Sequence, residues 1–229
     1  MGFKGKLGSL LPAYTRIPLV SMVCANGLAY YVTRLITQKL AHFDFSLPAD
    51  DAVPFIPAFS VIYVLAYVQW IVGFILIARD SRGLCYRVIS GEMISKLICM
   101  ALFLLVPTAM TRAEIASDGF FDTLVGYIYQ MDAADNLFPS IHCLESWVCF
   151  RGAMQMKKAV PRYRYFNFLF SLLVFASTVF IKQHVVVDII AGVLTAEIGQ
   201  QIAQKIDSAR IFHRMENTLF RSNRFGESI

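Results

Sequence analysis

The sequence predicts an all-α integral membrane protein. The expected fold is a six-transmembrane-helix bundle with both termini cytosolic and a short interfacial helix in the outer 112–140 loop. Three observations carry this. Of 229 residues, 57% are hydrophobic and only 16% charged, against roughly 45–50% and about 25% in ordinary soluble domains. Six apolar stretches are long enough, or nearly so, to cross a bilayer, which takes about 20 helical residues. The segments between them alternate in charge. The same composition argues against a disordered chain, a collagen-like repeat, a nucleic-acid-binding basic domain and a water-soluble enzyme.

The spans are read near 17–40, 56–78, 93–111, 141–157, 165–181 and 185–204, and the whole of 1–229 is taken as one membrane domain. The second is aliphatic and aromatic throughout; the third and fifth are nearly as clear. The first carries Asn26 and Arg34, the fourth Glu145, and the sixth Asp188 and Glu197. Such groups are costly in lipid, so they are expected to face the bundle interior or an interface. Lys4, Lys6 and Arg16 precede the first span, and Arg79, Arg82 and Arg87 lie between the second and third. Arg151, Lys157, Lys158, Arg162 and Arg164 surround the fourth-to-fifth link, and Lys205, Arg210, Arg214, Arg221 and Arg224 follow the sixth. The alternate loops are acidic or nearly neutral. The 41–55 loop holds Asp44, Asp50 and Asp51; the 112–140 loop sets Arg112 against Glu114, Asp118, Asp122, Asp132 and Asp135. The excess of Lys and Arg on one side places that side in the cytosol, and the net charge of +5 becomes a topology signal rather than a mark of nucleic acid. The first ten residues have no apolar core of signal-peptide length.

Within the 112–140 loop, Phe120, Phe121, Leu124, Val125, Ile128 and Met131 recur at helical spacing. They form either an amphipathic helix at the interface or a packing helix under the loop. Cys24, Cys85, Cys99, Cys143 and Cys149 show no metal-ligand spacing and read as small buried hydrophobes. Gly192, Ala196 and Gly199 read as a small-residue packing face, and Glu92 with Lys96 as an i,i+4 pair at a helix start. His42 and His213 fall outside the clusters that follow.

Two clusters on the outer side carry chemistry. In Asn136-Leu137-Phe138-Pro139-Ser140-Ile141-His142, proline favours a first helical turn. Ser140, Ile141 and His142 are therefore expected to open the fourth helix, where backbone N–H groups and the helix dipole suit a phosphate. In the second cluster, His184 and Asp188 are four apart, expected on one helix face. A carboxylate on one imidazole nitrogen leaves the other as a nucleophile. Lys182 lies beside them, as a phosphate-binding cation or an interface anchor.

Pro139-Ser140-Ile141-His142, followed about 40 residues on by His184-x-x-x-Asp188, resembles the type-2 phosphatidic acid phosphatase superfamily, membrane phosphatases and phosphotransferases related to vanadium haloperoxidases. The resemblance covers roughly residues 45–206. Ser177 and Thr178 stand where that family's second signature has Ser-Arg. Lys182 and the stretch Asp51 to Pro57 are similar instead to the branch of inositol phosphorylceramide synthases and small bacterial relatives. The family's first signature is not matched: Arg112 is followed by Ala113, and Leu105 occupies the lysine position. The resemblance implies that His184 attacks phosphorus, Asp188 orients it, and His142 is the general acid and base. It implies phosphate binding by Arg112, Ser140 and Lys182, with no cofactor and no metal. Asn136, Ser177 and Glu145 are candidate supporting residues. Glu145 shares the His142 face and could pair with Lys182 or Arg112, tune His142, or make an interior contact without catalytic duty. Asp132 and Asp135 form a weak DxxD, better read as solvated loop.

The expected function is hydrolysis of a lipid phosphate or pyrophosphate at the outer leaflet of the cell membrane. A phosphotransferase using an alcohol acceptor and a non-enzymatic lipid binder are the alternatives. The expected partners are the bilayer and the lipid substrate, without nucleic acid; the oligomeric state is not legible.

Overall fold

The computed structural model describes residues 11–115 and 118–221, with side chains to residue 218. Lys4, Lys6 and Arg224 lie outside the described residues. No strand occurs among those described; two isolated bridges, Phe43 to Thr108 and Ala109 to Asp135, tie loops together.

Among the described residues, eight helices longer than two turns organise the fold: α1 Ala13–Thr37, α2 Ser60–Asp80, α3 Arg82–Leu105, α4 Phe120–Met131, α5 Ile141–Gln155, α6 Pro161–Phe180, α7 Val186–Lys205 and α8 Ser208–Arg221. Among the described residues, five are long and apolar enough to cross a membrane: α1, α2 with its lead-in from Pro57, α3, α6 and α7. Helix α5 lies among them but has only 15 residues, about 22 Å of helix against a hydrocarbon core of about 30 Å. Those six helices alternate in direction. One end of the bundle gathers the start of α1, the α2–α3 junction and α8. There Tyr14 Oη donates to the Ala78 carbonyl (2.9 Å), and Tyr86 packs between Tyr14 and Phe212. The other end gathers the functional clusters.

Several boundaries differ from those read in the sequence. Helix α3 begins at Arg82, eleven residues before the expected start near 93. Only Ser81 separates it from α2, and its hydroxyl caps the new helix by accepting from Leu84 N (3.3 Å). Arg82 and Arg87 are therefore the first turns of a helix, not a loop. Glu92 and Lys96, expected at a helix start, lie mid-helix and fully buried. Helix α8, not expected at all, lays Phe212 against Tyr86. Helix α4 forms over Phe120–Met131 as expected, with one face packed. Val125 and Ile128 pack on Tyr63 and Ile181, while Phe120, Tyr127 and Met131 stay exposed.

Helix α5 is the centre of the bundle and packs against α2, α3, α6 and α7. The polar residues of the spans turn inward as their cost demands. Asn26 Nδ2 donates to Glu145 Oε1 (3.1 Å), Arg34 Nε pairs with Asp135 (3.0 Å), and Glu197 takes Arg151 (2.9 Å) and the Trp147 indole (2.7 Å). Close helix approach rests on missing side chains. A Cβ on Gly199 would collide with the Gly91 carbonyl and Ser95, and one on Gly192 would lie 2.5 Å from the Ser140 carbonyl oxygen. That second contact brings the start of α5 onto α7, where the site is built. Val20, Val23, Tyr31 and Leu35 on α1, with Val68 and Ile71 on α2, remain exposed, the expected surface toward lipid.

Candidate active site

The α6–α7 link forms the nucleophile side. Helix α6 ends at Phe180, and Lys182 reverses the chain through a left-handed conformation (φ 51°). Gln183 N and His184 N then both donate to the Thr178 carbonyl (2.8 and 3.1 Å). His184 stands just before α7 rather than on it, because Val185 is the N-cap and Asp188 the third helical residue. The expected His-to-Asp pairing still forms, through capping geometry rather than a shared helix face. Asp188 Oδ2 accepts from the Val185 amide and from His184 Nδ1, each at 3.1 Å. With Nδ1–H turned to a buried carboxylate at a helix N-terminus, His184 presents Nε2 as a lone pair.

The opposite side is His142, second residue of α5 after the Ser140 cap. Its ring stacks on Tyr63 (centroids 4.1 Å apart) and meets Tyr67 and Trp70 at 5.5 and 5.1 Å. Nδ1 lies 3.3 Å from Tyr63 Oη and Nε2 lies 3.2 Å from Tyr67 Oη. Tyr63 spends its proton on Asp132 Oδ2 (2.5 Å), and Tyr30 donates to Asp132 Oδ1 (2.6 Å). The Tyr63 oxygen is then left to accept from His142 Nδ1–H, which assigns the tautomer by donor count. Burial works against an ionised Asp132; the His142 ring, the two phenols and His184 outweigh it and hold the carboxyl below its usual range. Two histidines, each with its own carboxylate, thus face each other with ring centroids 6.3 Å apart.

The remaining expected residues fall in different places. Ser140 is fully buried: its hydroxyl accepts from Cys143 N (3.4 Å) as a helix cap, and its amide donates to the Asp188 carbonyl (3.1 Å). Lys182 Nζ donates to the Asp50 carbonyl (2.8 Å), while Asp50 Oδ1 accepts from Val186 N (2.9 Å), so the 48–51 turn is docked on the start of α7. Arg112 stacks over Tyr129 (4.4 Å) and donates to the carbonyls of Tyr129 (2.8 Å) and Asp132 and to Gln183 Oε1. Burial lowers its basicity, opposed by Asp132. Asn136, left-handed at φ 54°, reaches Thr33 Oγ1 (3.5 Å) and lines the site. Ser177 bonds back to the Val174 carbonyl (2.7 Å) within α6. Glu145 meets neither Lys182 nor Arg112. One turn along α5, it faces away from their end of the bundle and pairs with Lys96 (2.6 Å), which also meets Glu92 (3.5 Å). Asp132 and Asp135 hold phenols and Arg34 rather than solvent.

Sequence reasoning missed Tyr63, Tyr67 and Trp70. Their spacing of four and three residues along an otherwise mostly aliphatic span was the available signal. It also missed Tyr30, Asp50 and Gln183.

Two cavities meet at His184. One, of about 430 Å³, lies between α1 and α2 and is walled by Val23, Gly27, Tyr31, Tyr67, Trp70 and Ile141, with both histidines in its lining. The other, of about 310 Å³, is lined by Asp50, Asp51, Arg112 and Lys182 among the loops. The depth follows from α2. His142 is level with Tyr63 to Trp70, so the site lies about 10 Å below the Ser60 end of that helix.

Neither the curated proteins nor the solved structures compared with this chain gave a match. The family model described as PAP2 superfamily matches residues 37–202, which hold α2 to α6, both histidines and Asp188. The chain belongs to the PAP2 superfamily, whose members are phosphatases and related phosphotransferases.

Proposed function

We propose that the protein is an integral membrane, metal-independent phosphatase that hydrolyses a lipid phosphate or pyrophosphate at the extracytoplasmic leaflet, the whole chain acting as one membrane domain. The observation that carries this is the pair of carboxylate-backed histidines facing each other in the lining of an aromatic cavity that lies between two spans. An acyl or prenyl tail leaving between α1 and α2 stays among apolar side chains while its phosphate reaches His184. Arg79, Arg151, Lys157, Lys158 and Lys205 gather at the opposite end, and Asp44, Asp50 and Asp51 at the site end, which supports an outward-facing site.

His184 Nε2 attacks phosphorus and forms an N–P bond as the bond to the leaving oxygen breaks. His142, linked to Asp132 through Tyr63, takes up a second proton as the anionic phosphate enters and gives that proton to the leaving oxygen. Water then attacks the phosphohistidine while His142 takes a proton from it, and the N–P bond breaks. Asp188 holds the ring and offsets its positive charge. Helix N-terminal amides of α5 add a field complementary to the transferring phosphoryl group. The second cavity at His184, lined by Asp50, Asp51, Arg112 and Lys182, favours a second reading, transfer to an alcohol held near Asp50 and Asp51.

The test is phosphate release from phosphatidic acid, sphingoid phosphates and prenyl pyrophosphates by detergent-purified protein in EDTA. Release abolished in His184→Ala and His142→Ala supports hydrolysis. Turnover only with an added alcohol, the product carrying phosphate, establishes the second reading. Full activity in His184→Ala refutes both.

A further inference from the structure

Gln183 is 1% exposed and uses half of its amide. Arg112 donates to its Oε1. A guanidinium has no acceptor, so the amide oxygen must be the atom facing it, which fixes the orientation of the group. Nε2, the other half, is buried with no hydrogen-bond partner, and the residue lines the aromatic cavity together with His142 and His184. Folded proteins leave few buried donors unanswered. Everything around this one is fixed. Arg112 is clamped by the Tyr129 and Asp132 carbonyls and stacked on the Tyr129 ring. The Gln183 and His184 amides share the Thr178 carbonyl, which holds the two side chains in one tight turn.

We propose that Gln183 is a phosphate-binding residue whose Nε2 donates to a non-bridging oxygen of the phosphoryl group at His184, and that Arg112 is a positioning residue acting through it. This rests on the phosphohistidine reading and deepens it. The oxyanion ligand is a phosphate monoester or anhydride oxygen, a chemistry shared by lipid headgroup and free phosphate. A neutral donor suits this place. It adds no second charge beside the nucleophile, and its N–H donors, oriented by the Arg112 contact before substrate arrives, need little reorganisation in the transition state.

The experiment uses the full chain in detergent, measuring kcat and KM on a soluble short-chain phosphatidic acid, with EDTA left out of the vanadate arm because it chelates vanadate. Inhibition by orthovanadate, which mimics the five-coordinate state, and by inorganic phosphate is read alongside. Gln183→Met removes the donor at constant size; Gln183→Glu keeps an acceptor for Arg112 but removes the donor. Both are expected to lower kcat/KM roughly 10- to 100-fold, mainly in kcat, and to weaken orthovanadate by a similar factor. Weaker lipid turnover with unchanged inhibition by inorganic phosphate assigns the contact to the lipid-bound phosphate; loss of both assigns it to either source. Arg112→Lys, which keeps a donor for Oε1, should retain more activity than Arg112→Met. Unchanged kcat/KM and vanadate inhibition in either folded Gln183 variant, with His184→Ala inactive, overturns the proposal and leaves the phosphohistidine reading intact. An active His184→Ala removes the reading itself.

Discussion

Replacing Lys96 with methionine is the most demanding test of the bundle interior. Its ammonium is fully buried, 2.6 Å from Glu145 and 3.5 Å from Glu92, whose side chains are 2% and 0% exposed. With an effective dielectric of 20, those contacts correspond to about 6 and about 5 kcal/mol of gross attraction, most of it offset by desolvation of the three groups. Removing the cation leaves two carboxylates facing each other in an apolar core, and breaking one partner out of such a cluster costs about 3–5 kcal/mol. For a domain of this size that is a drop of roughly 6–20 °C in melting temperature. The buried thiols of Cys85, Cys99, Cys143 and Cys149 supply the assay. In a Cys24→Ser background, a thiol-reactive fluorophore reports unfolding on heating in detergent. The triple variant Lys96→Met, Glu92→Gln, Glu145→Gln removes the charges together and should regain most of the loss. A Lys96→Met protein that melts with the parent, or a triple variant as unstable as the single one, would refute the reasoning.

Tyr63→Phe breaks the link from Asp132 to His142 while keeping the stack; activity on a lipid phosphate should fall roughly 10- to 100-fold with little change in melting temperature. Asp132→Asn should produce a comparable loss, and the double variant little more than either alone, read as a double-mutant cycle on kcat/KM. Gly192→Val drives a side chain into the Ser140 carbonyl; it should separate α5 from α7, cost about 1–3 kcal/mol as an overpacked site does, and lower activity together with stability in the same thiol assay. Asp50→Ala removes the carboxylate from the Val186 amide. Loss of such a helix cap costs about 1 kcal/mol, measured as a lower melting temperature.

Much of this was legible in the chain because membrane spans are written locally. The second and fifth spans and the amphipathic helix over Phe120 to Met131 follow from nearly unbroken hydropathy or helical period. The third span was displaced because Arg82 and Arg87 look like loop residues, and only the cap at Ser81 shows that the helix starts there. His142, His184 and Asp188 stood out because His-to-Asp spacing and Pro139-Ser140 are short-range patterns. The partners that give these residues their chemical state were not legible. Tyr63 lies 79 residues from His142, and Asn26 lies 119 from Glu145. A phenol in an apolar span is indistinguishable by sequence from a lipid-facing aromatic until its hydroxyl finds a partner.

The shortness of α5 has an electrical consequence. With the Ser60 end of α2 taken as the edge of the hydrocarbon, a phosphate bound about 10 Å below it has travelled roughly a third of the hydrocarbon thickness. Each negative charge it carries therefore crosses a similar share of the membrane potential, worth about 0.8 kcal/mol per 100 mV. On the proposed outward orientation, with the cell interior negative, polarisation opposes binding, roughly fourfold in affinity per charge per 100 mV. In proteoliposomes with an imposed potassium potential, apparent affinity should fall as the interior is made more negative, and voltage independence would place the bound phosphate at the interface.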